Sequence, residues 1–148
     1  MADYQTIVVG TDGSESSLHA VARAGAIAGE GTTLVIACAY FVNDGRSASA
    51  ASDALGADAY QVMGSSPTEE ILRSARERAK AAGAGNVQTR SVKGAPVDAL
   101  LQLVTDVQAD LLVVGNKGLN SIAGRLLGSV PADVARKAAC DVLIVHTT

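Results

Sequence analysis

The sequence has no tryptophan, one phenylalanine and three tyrosines. That is too few flat rings for a platform that stacks single-stranded nucleic acid. Cysteine occurs twice, at Cys38 and Cys140, with no C-x-x-C pair and no His/Cys/Asp/Glu cluster at metal-ligand spacing. Both cysteines lie in apolar stretches and read as small buried hydrophobes. No apolar run reaches membrane-spanning length, and the start, Met1-Ala-Asp-Tyr4, lacks the basic and apolar regions of a signal peptide. Lys and Arg number 12 against 15 Asp and Glu, a net charge of −3, which gives no global attraction to nucleic acid or to an anionic membrane. Two nucleotide signatures are also missing: no G-x-x-x-x-G-K-[ST] occurs, and no G-x-G-x-x-G follows the first apolar run.

What is present suits one folded domain in the cytoplasm. The chain has 148 residues, 48% of them hydrophobic and 18% charged, enough apolar material for a core. Apolar runs at 6–10, 33–39, 110–115 and 141–146 are continuous rather than alternating, as in parallel strands covered on both faces. A fifth run, 87–93, is more polar and suits an edge strand. Amphipathic stretches separate the runs. They start near Ser14, at Ser66-Pro67-Thr68-Glu69 (read as a capping box with Ser66 as N-cap), at Ala95-Pro96 and near Ser129. The alternation predicts an α/β fold, with a parallel sheet of these five strands and helices on both faces. Residues 42–65, rich in Ala, Ser, Gly and Asp, read as a surface excursion with room for a short helix or as a lid over a ligand.

Two glycine-bearing loops follow strands. Gly10-Thr11-Asp12-Gly13-Ser14 follows the first, and Gly115-x2-Gly118-x9-Gly128-Ser129 follows the fourth. Strand order 3-2-1-4-5 would set both on one crevice beyond the carboxyl ends of the strands, where open parallel sheets bind ligands. In the second loop, glycine backbone, a helix start at Ser129-Val130 and the cations Lys117 and Arg125 have the chemistry of a phosphate cradle. An ordinary glycine-rich turn capped by Ser129 reads the same residues equally well. Asp12 could accept hydrogen bonds from ribose hydroxyls or from backbone N–H groups of its own turn. His19 and His146 have no motif partner and read as structural.

The long-spaced glycine signature, together with Ile7-Val-Val-Gly-Thr-Asp-Gly-Ser14, Gly94-Ala-Pro-Val-Asp-Ala and Cys140-Asp-Val-Leu-Ile-Val-His146, resembles the universal stress protein family in its nucleotide-binding branch. The similarity covers the chain apart from 42–65. The stretch Gly-Arg-Leu-Leu-Gly-Ser-Val-Pro is most similar to small mycobacterial members that bind cyclic AMP as well as ATP.

The resemblance implies a Rossmann-like, five-stranded fold and a role in nucleotide-linked stress or second-messenger signalling, for which a non-catalytic sensor or buffer of adenine nucleotide is the leading reading. Cyclic AMP would be the main ligand and ATP the weaker one, with magnesium only alongside ATP. It also implies that Asp12 meets the ribose, that Gly115, Gly118, Gly128 and Ser129 meet the phosphate, and that backbone around Ala39 holds the adenine edge, with Val9 and Gly10 bordering the pocket. Many ATP-binding relatives carry Ser or Thr where this chain has Pro131, and His or Arg where it has Lys117. Both departures suit a small, singly charged cyclic phosphate. A slow ATPase and a nucleotide-independent interaction module are the alternatives. The last strand is an apolar edge, so Val142, Leu143, Ile144 and Val145 are expected to pair with a second copy; the resemblance also implies a homodimer through this strand.

Overall fold

The computed structural model describes residues 4–41, 62–63, 65–116 and 130–147. Six strands and four helices follow one another as β1 (Thr6–Gly10), α1 (Glu15–Ala28), β2 (Thr33–Phe41), β3 (Val62–Met63), α2 (Ser65–Ala81), β4 (Asn86–Lys93), α3 (Pro96–Val107), β5 (Leu111–Gly115), α4 (Val130–Lys137) and β6 (Asp141–Val145). No described helix is long and apolar enough to cross a membrane.

The strands form one parallel sheet in which the five long strands lie in the order β4-β2-β1-β5-β6. Numbered among themselves, these five follow the expected 3-2-1-4-5. Two details depart from the sequence reading. The segment 42–65 contributes a two-residue strand, β3, that the sequence reading did not contain, while 42–61 and 64, and with them the short-helix and lid readings, lie outside the described residues. In addition, α2 already includes Ser65 and Ser66, so Ser66 is a helical residue and not the N-cap. Pro67 then falls at the third helical position, still within the first turn, where its missing N–H costs no helical bond.

Register locates β3. Tyr40 pairs with Lys93 of β4 on one edge of β2 and with Val62 of β3 on the other. Strand β1 covers that second edge only from Thr33 to Ala37. Thus β3 sits on the β1 side, beyond the point where β1 has ended.

The continuous apolar runs divide by parity between two cores. Ile7 and Val9, Leu34, Ile36 and Cys38, and Leu111 and Val113 pack under α1 and α2 with Leu18, Val21, Leu72 and Ala79. Val8, Val35, Ala37, Leu112 and Val114 face the other way, toward Leu100, Leu103 and Val104 of α3 and Val134 of α4. Each such side chain, taken fully out of water, contributes about 1.5–3 kcal/mol. Glycine at position 25 lets α1 and α2 approach closely, because a Cβ there would lie 2.7 Å from the Ala79 carbonyl oxygen.

The N-terminal ends of β1 and β5 are pinned by one carboxylate. Asp110 accepts hydrogen bonds from the N–H groups of Gln5 and Thr6, each at 3.0 Å, and the Asp110 N–H returns one to the Thr6 carbonyl at 2.9 Å. Desolvation opposes the charged form of Asp110, but the donated backbone N–H groups outweigh it and hold the carboxyl below its ordinary range. A depressed carboxylate contributes stability that is present above the unfolded pKa, roughly 3.9, and is lost as pH falls through the lower folded value. Asp110→Asn should therefore lower the melting temperature at pH 7, and the difference from the parent protein should shrink as pH falls below 4. An equal deficit at pH 7 and pH 2.5 would contradict the assignment.

Candidate functional site

Crevice geometry follows from where the central strands stop. Gly10 pairs with Ala37, and Val9 pairs with Val113. Continuing those registers sets Asp12 level with Ala39 on one side and Asn116 on the other. The Thr11 N–H donates to the Ala37 carbonyl at 2.9 Å. Odd-numbered residues of β2 thus turn their peptide groups toward β1, so Ala39 presents its own where β1 has ended and β3 begins. The expected residues Val9, Gly10, Asp12, Ala39 and Gly115 therefore gather at one end of three adjacent strands.

Asp12 is held by a buried hydroxyl relay. Its Oδ1 accepts from the Ser14 N–H and from the Ser17 hydroxyl, both at 2.9 Å. The Ser17 hydroxyl lies 2.8 Å from Thr11 Oγ1 and also receives the Asp12 N–H at 3.2 Å, while Thr11 Oγ1 accepts the Gly13 N–H at 3.1 Å. The Ser17 hydroxyl proton is directed at Asp12 Oδ1 and at the Ser14 carbonyl, 3.0 Å away, so Thr11 must donate to Ser17, and the backbone N–H groups from Thr11 to Ser14 are all satisfied. Thr11 and Ser17 are 1% and 2% exposed, so this relay works in a low dielectric. The Asp12 Oδ2 oxygen has no hydrogen-bond partner among the described residues. Asp12 is thus both turn former and available acceptor, which joins the two alternatives open at the sequence level.

Ser14 caps α1, its hydroxyl accepting the Ser17 N–H at 3.2 Å. The Asp12 carboxylate also acts on Cys38. Burial pushes that thiol's pKa up to about 12, and the negative charge of Asp12 adds to the effect. Cys38 is fully buried and Cys140 half-buried, so only the first fits the expected picture of a core hydrophobe completely. Neither Val9 nor Gly10 offers a side chain to the crevice. Val9 is 0% exposed in the core, and the space a Cβ of Gly10 would need is taken by Leu100, 3.1 Å away.

The end of β5 is clamped by residues that carried no motif. Asn116 Oδ1 accepts from the Thr147 N–H at 2.8 Å and from its hydroxyl at 3.0 Å. Thr147 Oγ1 also lies 2.7 Å from the Ser16 hydroxyl, tying β5, the residues after β6 and the start of α1 together. A Cβ on Gly115 would meet Thr147 at 3.4 Å and Ala20 at 3.8 Å, so the glycine is not forced by packing there. His146 Nδ1 lies 3.3 Å from Asn116 Nδ2, and His19 is exposed on α1. Lys117, Gly118, Arg125, Gly128 and Ser129 lie outside the described residues, and Val130 is the first residue of α4. No group of three or more potential metal ligands occurs among the described residues.

The family model of the universal stress proteins matches residues 3–146. The chain belongs to the universal stress protein family. Universal stress protein Rv1636 of Mycobacterium tuberculosis is 57% identical over 150 residues, covering 100% of both chains. A universal stress protein crystallised in complex with cAMP is 55% identical with a TM-score of 0.78, over 98% of each chain. The universal stress protein of Archaeoglobus fulgidus in complex with dAMP is only 20% identical, with a TM-score of 0.65 over 95% of this chain and 97% of that one, and shares the fold. Within this family member, the relay makes a specific demand on Ser17. Ser17→Ala leaves Thr11 and the Asp12 N–H without their buried partner and should destabilise the fold by about 1–3 kcal/mol in chemical denaturation. A change within about 0.3 kcal/mol would mean that the relay is unimportant.

Proposed function

We propose that the chain binds one adenine nucleotide in this crevice, cyclic AMP in preference to ATP, and serves as a cytoplasmic sensor or buffer of that nucleotide in stress signalling. The observation that carries the reading is the division of labour at Asp12. One carboxylate oxygen is fixed by the turn, leaving the other as a preoriented acceptor for ribose hydroxyls. The 55% identity to a universal stress protein crystallised with cAMP supports the choice of nucleotide. In this reading the peptide groups around Ala39 meet the adenine edge, where Val9 and Gly10 form the floor with backbone alone.

The phosphate falls to Gly115, Lys117, Gly118, Arg125, Gly128, Ser129 and Val130. Glycines at 115, 118 and 128 let backbone N–H groups approach an anion, and each hydrogen bond to a charged group contributes about 1.5–3 kcal/mol. Pro131 supplies neither hydroxyl nor N–H for a triphosphate tail, and Lys117 gives a point charge rather than a planar fork. Both favour a single negative charge, and magnesium would enter only with ATP.

The assembly proposed with this site is a homodimer through β6. Among the described residues that strand pairs with β5 alone, and along it Val142 and Leu143 are half-buried while Ile144 is 39% exposed. Two-fold pairing of β6 with its counterpart would cover this edge.

The test is cyclic AMP binding by Gly128→Val, measured by equilibrium dialysis after nucleotide stripping. The added side chain should raise the Kd at least ~10-fold, about 1.4 kcal/mol, with the far-ultraviolet spectrum unchanged. The parent protein should sediment as a dimer in the same buffer. Unchanged affinity would remove the phosphate assignment, and a monomer would remove the β6 interface.

A further inference from the structure

The edge opposite β6 is β4, which among the described residues pairs with β2 alone. Its register fixes which groups face outward. The Gly94 N–H donates to the Tyr40 carbonyl, so even-numbered residues of this stretch point their peptide groups inward to β2. Thr89, Ser91 and Lys93 therefore turn N–H and C=O to solvent along one line.

A cleft lies on each side of that line. One, about 290 Å³, runs between β4 and α2 and is walled by Thr89, Ser91, Arg73 and Arg76, with Glu69 at its border. The other, about 340 Å³, runs between β4 and α3 and is walled by Arg90, Val92 and Lys93, with Asp106 across from them. A strand added to this edge would send alternate side chains to opposite faces of the sheet, one set into each cleft.

Charge decides what kind of strand fits. In a chain of net charge −3, these walls carry four cations against two acids. Arg73 is paired with Glu70 at 3.0 Å, whereas Arg76, Arg90 and Lys93 make no ion pair among the described residues. A second copy is disfavoured as the occupant, because antiparallel β4–β4 pairing would gather Arg90 and Lys93 of both copies along one seam, cation beside cation.

We propose that the free edge of β4 is a docking site for an extended acidic segment of a partner protein, added as a further strand with carboxylates directed at Arg76, Arg90 and Lys93. The site is at the sheet edge far from β6 and does not depend on the nucleotide reading.

The probe is a fluorescein-labelled octapeptide of two Glu-Glu-Val-Val repeats, which puts carboxylates on both faces of the added strand, titrated with the full-length protein by anisotropy at low salt. A lysine–valine octapeptide and single-stranded oligothymidylate of similar length serve as comparators. The acidic peptide should bind saturably and the basic one should not. Arg90→Glu with Lys93→Glu should weaken binding at least ~10-fold by reversing the charge at the edge. Ser91→Pro removes one outward N–H without touching the β2 ladder and should weaken it at least ~5-fold. Should that proline unfold the strand by circular dichroism, amide shifts in the parent protein decide instead. The N–H signals of Thr89, Ser91 and Lys93 should move on peptide addition ahead of those of Gln88, Arg90 and Val92. Absence of saturable binding, equal binding of oligothymidylate with no effect of Ser91→Pro, or shifts elsewhere in the sheet would overturn the proposal.

Discussion

Strand β2 runs on for four residues after β1 has stopped pairing with it, from Cys38 to Phe41. The rest of the candidate site depends on that mismatch. Peptide groups at the end of a central strand must be satisfied by something, and those of β2 on the β1 side pass from Gly10 to the turn at Thr11 and then to β3. Between those two partners lies the level of Asp12 and Ala39. A crevice at this place is thus a product of unequal strand lengths in a parallel sheet, and the chain that leaves β1 has to turn sharply over it.

The turn is where the molecule departs from apolar packing. Around it, Ile7, Val8, Val9, Leu112, Val113 and Val114 are wholly buried, and the sheet there is held by area removed from water on two faces. Thr11 and Ser17 are nearly as buried but polar, so each must find hydrogen-bond partners or cost the fold free energy. They find each other and Asp12. The same exchange that satisfies them fixes one carboxylate oxygen and leaves its twin uncommitted. Preorganisation of this kind lowers the ordering cost of binding. A similar device holds the other wall, where Asn116, just after the first glycine of the signature, and Thr147 lock the end of β5.

Much of this architecture could be read from the chain before any coordinates. Continuous apolar runs at four places announced strands buried on both faces, and the polar run ending at Lys93 announced an edge. The order of the long strands followed from bringing two glycine-bearing loops together. The relay could not be read in the same way, because Ser17 looks like any polar residue in the first turn of a helix. Its burial arises only when α1 folds down on β1. Asn116 and Thr147 are separated by 31 residues and meet only through the β5–β6 register. β3 is two residues long and has no periodicity to detect. Ser66 looked like a cap because Pro and Glu follow it, yet α2 begins two residues earlier than those signals suggest, at Ser65 rather than Pro67.

The central claim is that this crevice takes an adenine nucleotide with one phosphate charge. Calorimetric titration of nucleotide-stripped protein with cyclic AMP, and then with ATP with and without magnesium, tests it directly. The account predicts micromolar cyclic AMP binding and weaker ATP binding that magnesium does little to improve. Tighter, magnesium-dependent ATP binding would contradict it and would show that Pro131 does not limit the phosphate tail.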